Sequence, residues 1–370
     1  MTFRPERMWR QNTRAATSDH VSSIGVDVGG TKIAAGIVYF PSGKVRCRRV
    51  LPTRPERGGE AVLADVMELA QELTCRVYQA STNFAGIGVA VAELVNPEGV
   101  VMSEQTIGWA GVPVRERLWT IAPAVLESDV RAAALAEARF GAGKNYRLVC
   151  YVTVGTGISH TLVQDGHPYA GARGNALVLS SAPLTVNCPH CHAEASQVLE
   201  EYASGPALVR RYNERSANKA VRGEEVTAAA RSREPWAVEV VQSAGRALGN
   251  SVGFMINILD PEIVVVGGGL GLARGLYWRS FIQSLRSHVW SDATRQIPIV
   301  PAALGPDAGV VGAAAVAWAG LCPPDLAGDR TRTMKQGECA NAEWDSGFDK
   351  TGRGSGRRRL SAGAGTKRVR

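Results

Sequence analysis

Three short glycine turns, each following a run of apolar residues, constrain this chain more than any other feature. They are Gly29-Gly30-Thr31, Gly155-Thr156-Gly157 and Gly267-Gly268-Gly269. The runs before them are short, rich in β-branched residues and bounded by turn signals, which predicts buried strands. Where there is no Cβ, the backbone can approach a phosphate and aim its N–H groups at it, and a Thr hydroxyl adds a donor. A single turn of this kind serves equally well to reverse the chain. Three at strand ends, the first preceded by Asp27 and followed by Lys32, point to a nucleotide held beyond the carboxyl ends of the strands. Asp27 is placed to hold a hydrated Mg2+ beside the phosphates, and Lys32 to add positive charge.

Other nucleotide motifs fit poorly. No G-x-x-x-x-G-K-[ST] occurs, because Gly143-Lys144 is followed by Asn145. Gly269-Leu270-Gly271 begins like a dinucleotide fingerprint but has Arg274 at the third glycine position.

The rest of the pattern alternates strands and helices. Ser23 to Tyr39 reads as a hairpin about the first turn. Ala61 to Ala80 places Val62, Val66, Leu69, Leu73 and Val77 on one face of a helix. Ala85 to Leu94 reads as a buried strand, and Val130 to Phe140 as an Ala-rich helix stopped by Gly141 and Gly143. Leu148 to Val154 and Ile263 to Val266 are strands, and Trp236 to Leu259 and Ala308 to Gly320 are helices. This is an α/β architecture. No internal repeat is visible in the sequence.

The net charge of +8 first suggests a nucleic-acid partner, but Lys350 to Arg370 alone hold eight basic side chains and no acidic one. The remainder is balanced, so no nucleic acid is expected for the core. The tail has almost nothing apolar to bury and reads as a solvated, disordered extension. Seven cysteines, odd in number and mostly isolated, argue against a disulfide framework. With no secretory signal and no run long enough to span a membrane, the expected location is cytoplasmic, without a membrane partner.

The segment Ile24 to Lys32 resembles the first phosphate motif of the ROK family, which contains repressors, uncharacterised frames and sugar kinases. The resemblance continues through Glu127–Ala134, Val152–Ile158, Gly171–Ala176, Leu199–Gly205, Val264–Gly269 and Asp307–Ala313, in the family's order, and spans about Ile24 to Gly320. It implies an actin-like ATPase (ribonuclease H-like) fold, with two lobes around an ATP and substrate cleft. Residues 23–126 with 307–320 would form the N-terminal lobe and 127–306 the C-terminal lobe, with residues 1–22 and 321–370 as disordered extensions. ATP would lie against Asp27, Gly29, Gly30, Thr31, Lys32, Gly155, Thr156, Gly157 and Gly268. Asp129 matches the family's catalytic base, which takes the proton from the attacking hydroxyl. Its place before the Ala-rich helix also suits an N-cap, and the two roles are compatible. Family members are often dimers, so a homodimer is expected. The residues up to Ser23 are too few for the helix-turn-helix domain of the repressor members.

The substrate side departs from the family. The Asn before the catalytic Asp is Ser128. Where family sugar kinases have Gly-Glu-Ile-Gly-His, this chain has Leu177 to Ser181, so the sugar-binding Glu is Val178 and the His that binds both sugar and zinc is Ser181. A Pro-Gly in the pocket is Ala92-Glu93, and an Asn before a Gly-Trp pair is Gln105. Glu200 keeps its place as a sugar contact, and Glu127 and Ser128 are further candidate substrate contacts. A Glu–His pair that reads two adjacent hydroxyls discriminates strongly, and its loss removes that reading. The expected substrate therefore differs from glucose at the anomeric end of the ring. This resembles the family's kinases of actinobacterial antibiotic pathways, which act on seven-carbon cyclitols such as valienone or 2-epi-5-epi-valiolone, or on kanosamine. The alternative readings are a glucokinase or kanosamine 6-kinase and, from another class, a metabolite-sensing regulator without catalysis or a DNA-binding domain.

One ligand position of the family's structural zinc, Cys191, survives in an ungapped match. Cys188-Pro-His190-Cys191-His192 nonetheless holds four donors able to bind zinc. A loop that has lost its metal fits the sequence equally well.

Overall fold

A computed structural model describes residues 21–80, 82–187 and 194–321. The first lobe is built on a five-stranded sheet. β1 (Val21–Val28), β2 (Lys32–Phe40) and β3 (Lys44–Pro52) form an antiparallel meander; β4 (Asn83–Val91) and β5 (Ala124–Ser128) add in parallel beyond β1. The order is β3-β2-β1-β4-β5. Ile24, Val26 and Val28 point to one face, where α1 (Gly59–Gln79) covers them with the apolar stripe expected from its spacing. The fully buried Trp109 closes this core, its indole N–H donating to the Gly59 carbonyl at 2.8 Å. A short helix, α2 (Val114–Leu118), precedes β5.

The second lobe repeats the plan. β6 (Leu148–Val154), β7 (Ile158–Gln164) and β8 (His167–Pro168) run antiparallel; β11 (Ile263–Gly267) and β12 (Ile299–Pro301) add in parallel beyond β6. The order β8-β7-β6-β11-β12 is that of the first sheet, strand for strand. Between β8 and β11 lie a hairpin of β9 (Pro183–Asn187) and β10 (Glu194–Val198), then α4 (Leu199–Ala203), α5 (Gly205–Asn213), α6 (Gly223–Arg231) and α7 (Pro235–Leu259). After β11 come α8 (Gly269–Leu272), α9 (Leu276–His288) and α10 (Asp292–Arg295). Helix α7 begins one residue earlier than expected: Pro235 occupies the first turn and the Glu234 carboxylate caps it, accepting the Ala237 N–H at 2.8 Å. It ends where Asp260 turns left-handed before Pro261.

Two helices lie between the sheets. α3 (Asp129–Phe140) packs on β7 and on α11 (Ala308–Leu321), and α11 lies along β1 and β4. The approach is very close. A Cβ on Gly25 or Gly88 would collide with the carbonyl of Val310 or Ala313 in α11. The alanines Ala90, Ala132 and Ala313 form the contact between sheet, α3 and α11.

Both expected boundaries need small corrections. Val21 and Ser22 already belong to β1 and are buried by pairing with Phe40 and Tyr39, and Leu321 is the last residue of α11. The rest of the two expected extensions lies outside the described residues. Among the described residues, no helix is long and apolar enough to cross a membrane.

Candidate active site

Strand register fixes where the carboxylates stand. Asp27 of β1 is level with Ala90 of β4, which is level with Glu127 of β5. All three strands are parallel, so Asp27 and the Ser128-Asp129 step leave the sheet at the same end. The second sheet does likewise: Gly267 is level with Thr153, which brings the turns at 155–157 and 267–269 together. Gly268 is left-handed (φ 81°), and its backbone lies against the Val154 carbonyl.

The first turn is closed by Gly29 N–H donating to the Lys32 carbonyl at 3.0 Å. Buried Thr53, just after β3, braces it twice: its N–H donates to Thr31 O at 3.1 Å and its hydroxyl to Gly29 O at 2.5 Å. Thr31 and Lys32 are exposed. In the second turn, Gly155 N–H donates to Gly157 O at 2.9 Å, and Gly205 N–H, opening α5, donates to Gly155 O at 2.8 Å. Glu200 sits below it. Its Oε2 accepts the Ile158 N–H at 2.7 Å, and Gly157 leaves no room for a Cβ there.

Asp27 keeps part of its surface open, with Gly309 of α11 packed against its carboxylate. Among the described residues it accepts no hydrogen bond. Burial raises its pKa to about 6, against the pull of Lys32 and Arg48. A carboxylate with both oxygens uncommitted, beside a glycine turn and Lys32, fits a hydrated Mg2+ held jointly with phosphates.

Asp129 is the first residue of α3, and Ser128 holds the cap position without a capping bond. The N-cap expectation is thus shifted by one residue. Oδ1 of Asp129 accepts the Val130 N–H at 2.7 Å; Oδ2 has no partner among the described residues. Burial, with the charges of Asp27 and Glu93 adding to it, lifts this carboxyl to about 7, although the Val130 N–H and Arg131 pull it down. The buried Ser128 hydroxyl also lacks a partner.

Glu127, expected to meet substrate, has its Oε1 engaged by its chain neighbours. Oε1 accepts Arg131 Nε at 2.6 Å and the Ser128 N–H at 2.8 Å. At the two positions that replace the family's Glu–His pair, Val178 is exposed and the Ser181 hydroxyl donates to Val178 O at 2.8 Å. Sequence reasoning gave Glu93 no role. It is buried, and its carboxylate accepts from Ser103 Oγ and from the N–H groups of Gln105 (3.0 Å), Thr106 (2.5 Å) and Ile107 (2.8 Å). These bonds hold its pKa down against burial, which pushes it up. They hold Thr106 against Gly30 of the first turn. A lone acid directly after a buried strand was the available signal.

Cys188, His190, Cys191 and His192 lie outside the described residues, beyond the paired ends Asn187 and Glu194 of the β9–β10 hairpin. Among the described residues, no group of three or more His, Cys, Asp or Glu side chains forms a metal cage.

The sequence matches the ROK family over residues 23–319. It is 30% identical over 317 residues to a glucokinase of Streptomyces coelicolor, covering 80% of this chain and 97% of the relative. It is 28% identical to a kanosamine kinase of Amycolatopsis mediterranei, covering 80% and 95%. Among solved structures, a ROK family glucokinase from Streptomyces griseus in complex with glucose and AMPPNP superposes with a TM-score of 0.68 at 27% identity, covering 81% of this chain and all of that one. With this match along both lobes, the chain belongs to the ROK family and has the two-lobed, actin-like fold of its ATP-dependent sugar kinases.

Proposed function

We propose that this kinase transfers the γ-phosphoryl group of ATP to the primary hydroxyl of a seven-carbon cyclitol, with Asp129 as general base. The observation that carries the reading is the uncommitted Oδ2 of Asp129, on a carboxyl raised to about 7, at the end of the sheet that also bears the first glycine turn. Oδ2 takes the hydroxyl proton as the acceptor oxygen bonds to the γ-phosphorus and the bond to the β,γ-bridging oxygen breaks, releasing ADP. A base with a pKa near the working pH accepts that proton with little cost. Gly29, Gly30, Thr31, Lys32, Gly155, Thr156, Gly157 and Gly268 hold the nucleotide. Asp27 would hold Mg2+, which would neutralise charge on the phosphates.

What supports the cyclitol reading is the replacement of the family's Glu–His pair by Val178 and Ser181. A valine side chain offers no hydrogen bond, and the serine hydroxyl gives its one donor to a neighbouring carbonyl. Neither reads two adjacent hydroxyls at the anomeric end, so a ring that lacks them loses nothing here. The relatives' names make glucose and kanosamine the natural competitors. The reading implies a cytoplasmic enzyme, where ATP and magnesium are at hand.

The experiment is ATP-dependent phosphorylation of glucose, N-acetylglucosamine, mannose, kanosamine, valienone and 2-epi-5-epi-valiolone, with Asp129→Asn as control. Cyclitol turnover that vanishes in the control supports the proposal. Efficient glucose turnover removes the cyclitol assignment and leaves the kinase. Ligand binding without any turnover defeats the catalytic reading.

A further inference from the structure

Arg131 lies two residues beyond Asp129 in α3 and is only 5% exposed. A buried guanidinium is tolerated only when its donors are matched. Here they are matched from three directions. Nε and Nη2 meet Glu127 Oε1 at 2.6 and 2.5 Å, Nη2 also meets Val95 O at 2.5 Å, and Nη1 meets Gly174 O at 2.8 Å. Val95 belongs to the loop that follows β4 in the first lobe. Gly174 belongs to the loop that follows β8 in the second. One side chain therefore joins carbonyls from both lobes to the helix that begins with Asp129.

The two loops also touch directly. Gly174 is left-handed (φ 79°), and a Cβ there would run into the Val95 carbonyl and Asn96 Cα. Only glycine satisfies both conditions. The Val95 loop continues to Ser103–Ile107, which Glu93 fixes at its far end. The Gly174 loop continues to Leu177–Ser181, where family sugar kinases read the ring.

We propose that Arg131 is a positioning residue that latches the two walls of the acceptor pocket to the helix carrying Asp129. The assignment of this pocket to the acceptor rests on the function proposed above; the latch itself rests on the hydrogen bonds. Should the lobes part, Val95 O and Gly174 O separate and Arg131 on α3 keeps one of them. The other buried partner is left bare, which biases the enzyme toward the closed pocket. Lysine cannot replace it, because an ammonium lacks the planar fork that reaches a carboxylate and two divergent carbonyls together.

The test uses Arg131→Ala and Arg131→Lys in the full chain, with two readouts. The first is amide hydrogen exchange without substrate. Faster exchange is expected in residues 92–107 and 171–181, with α7 and α9 unchanged. The second is kinetics on the acceptor that the wild type turns over. The acceptor KM is expected to rise about 10-fold or more while the MgATP KM moves little, since a misplacement of about 1 Å can cost ~100-fold. Arg131→Lys keeps the charge and stem and decides the matter if Arg131→Ala does not fold. Exchange that matches wild type in both segments, or that rises uniformly over the chain, overturns the latch. A wild type that phosphorylates nothing defeats the kinase reading instead, and the exchange result still decides on Arg131.

Discussion

Asp129 stands within the electrostatic reach of Asp27. Burial does most to lift the Asp129 carboxyl to about 7, and the second carboxylate adds to the lift. In the role proposed for it Asp129 must be ionised to act, so kcat/KM for the acceptor should rise with one-proton dependence through about pH 7 and level off above it. In Asp27→Asn the neighbouring charge is gone, and the Asp129 titration, followed by carboxyl NMR, should move to lower pH. A titration that stays in place would show that the two groups do not communicate.

The same shifts bear on stability, with a sign opposite to that of a salt-bridged carboxylate. Asp27 and Asp129 are raised from 3.8 to about 6 and about 7. Between pH 4 and those values the unfolded chain ionises groups that the fold keeps protonated. The unfolded state then binds fewer protons, so stability falls as pH rises across this window. Asp129→Asn should lose turnover yet unfold at a temperature a few degrees higher at pH 7.5, by about 1–3 kcal/mol. The gap should close toward pH 4. Calorimetry at the two pH values measures it, and an Asn variant that melts lower at pH 7.5 refutes the sign.

Thr53 gives a prediction that separates nucleotide from acceptor. Its hydroxyl donates to Gly29 O and its N–H to Thr31 O, bracing the first turn from behind. Thr53→Val keeps the shape and the N–H bond and removes the hydroxyl. The cost should be about 1 kcal/mol in the turn, read as a several-fold rise in the ATP KM with the acceptor KM unchanged. Equal changes in both constants would mean that the turn is not a nucleotide contact.

Much of this was legible because the signals are local. A β-branched run ending in Gly-Gly-Thr declares strand and turn within nine residues, and α1 declares its buried face through Val62, Val66, Leu69, Leu73 and Val77. What was hidden depends on distance along the chain. Glu93 finds its partners 10 to 14 residues on, and Arg131 finds Val95 and Gly174 across 36 and 43. The Glu127–Arg131 pair was hidden because it spans the step from β5 into α3, where neither strand nor helix spacing announces a contact. The twofold repetition of the sheet leaves no sequence repeat, because burial fixes only the apolar character of each strand. β3 escaped notice for a related reason: it is an edge strand with Lys44, Arg46, Arg48 and Arg49, charged as such edges are.

The expected homodimer is tested on one exposed apolar face. Phe254 and Ile258, one turn apart on α7, are 65% and 63% exposed, and Trp290 is 87% exposed. Asn257 of α7 anchors the segment that carries Trp290: its side chain donates to His288 O at 2.8 Å and accepts the Trp290 N–H at 2.9 Å. Three large apolar side chains exposed on α7 and on the segment anchored to it suit a contact with a second copy. Light scattering should give the mass of two chains for the wild type at micromolar concentration. Phe254→Glu combined with Trp290→Ser should give the mass of one, with the fold intact by circular dichroism, because a charge and a lost indole remove the apolar burial that holds such a face together. A wild type that is monomeric, or a double variant that still pairs, rules this face out as the interface.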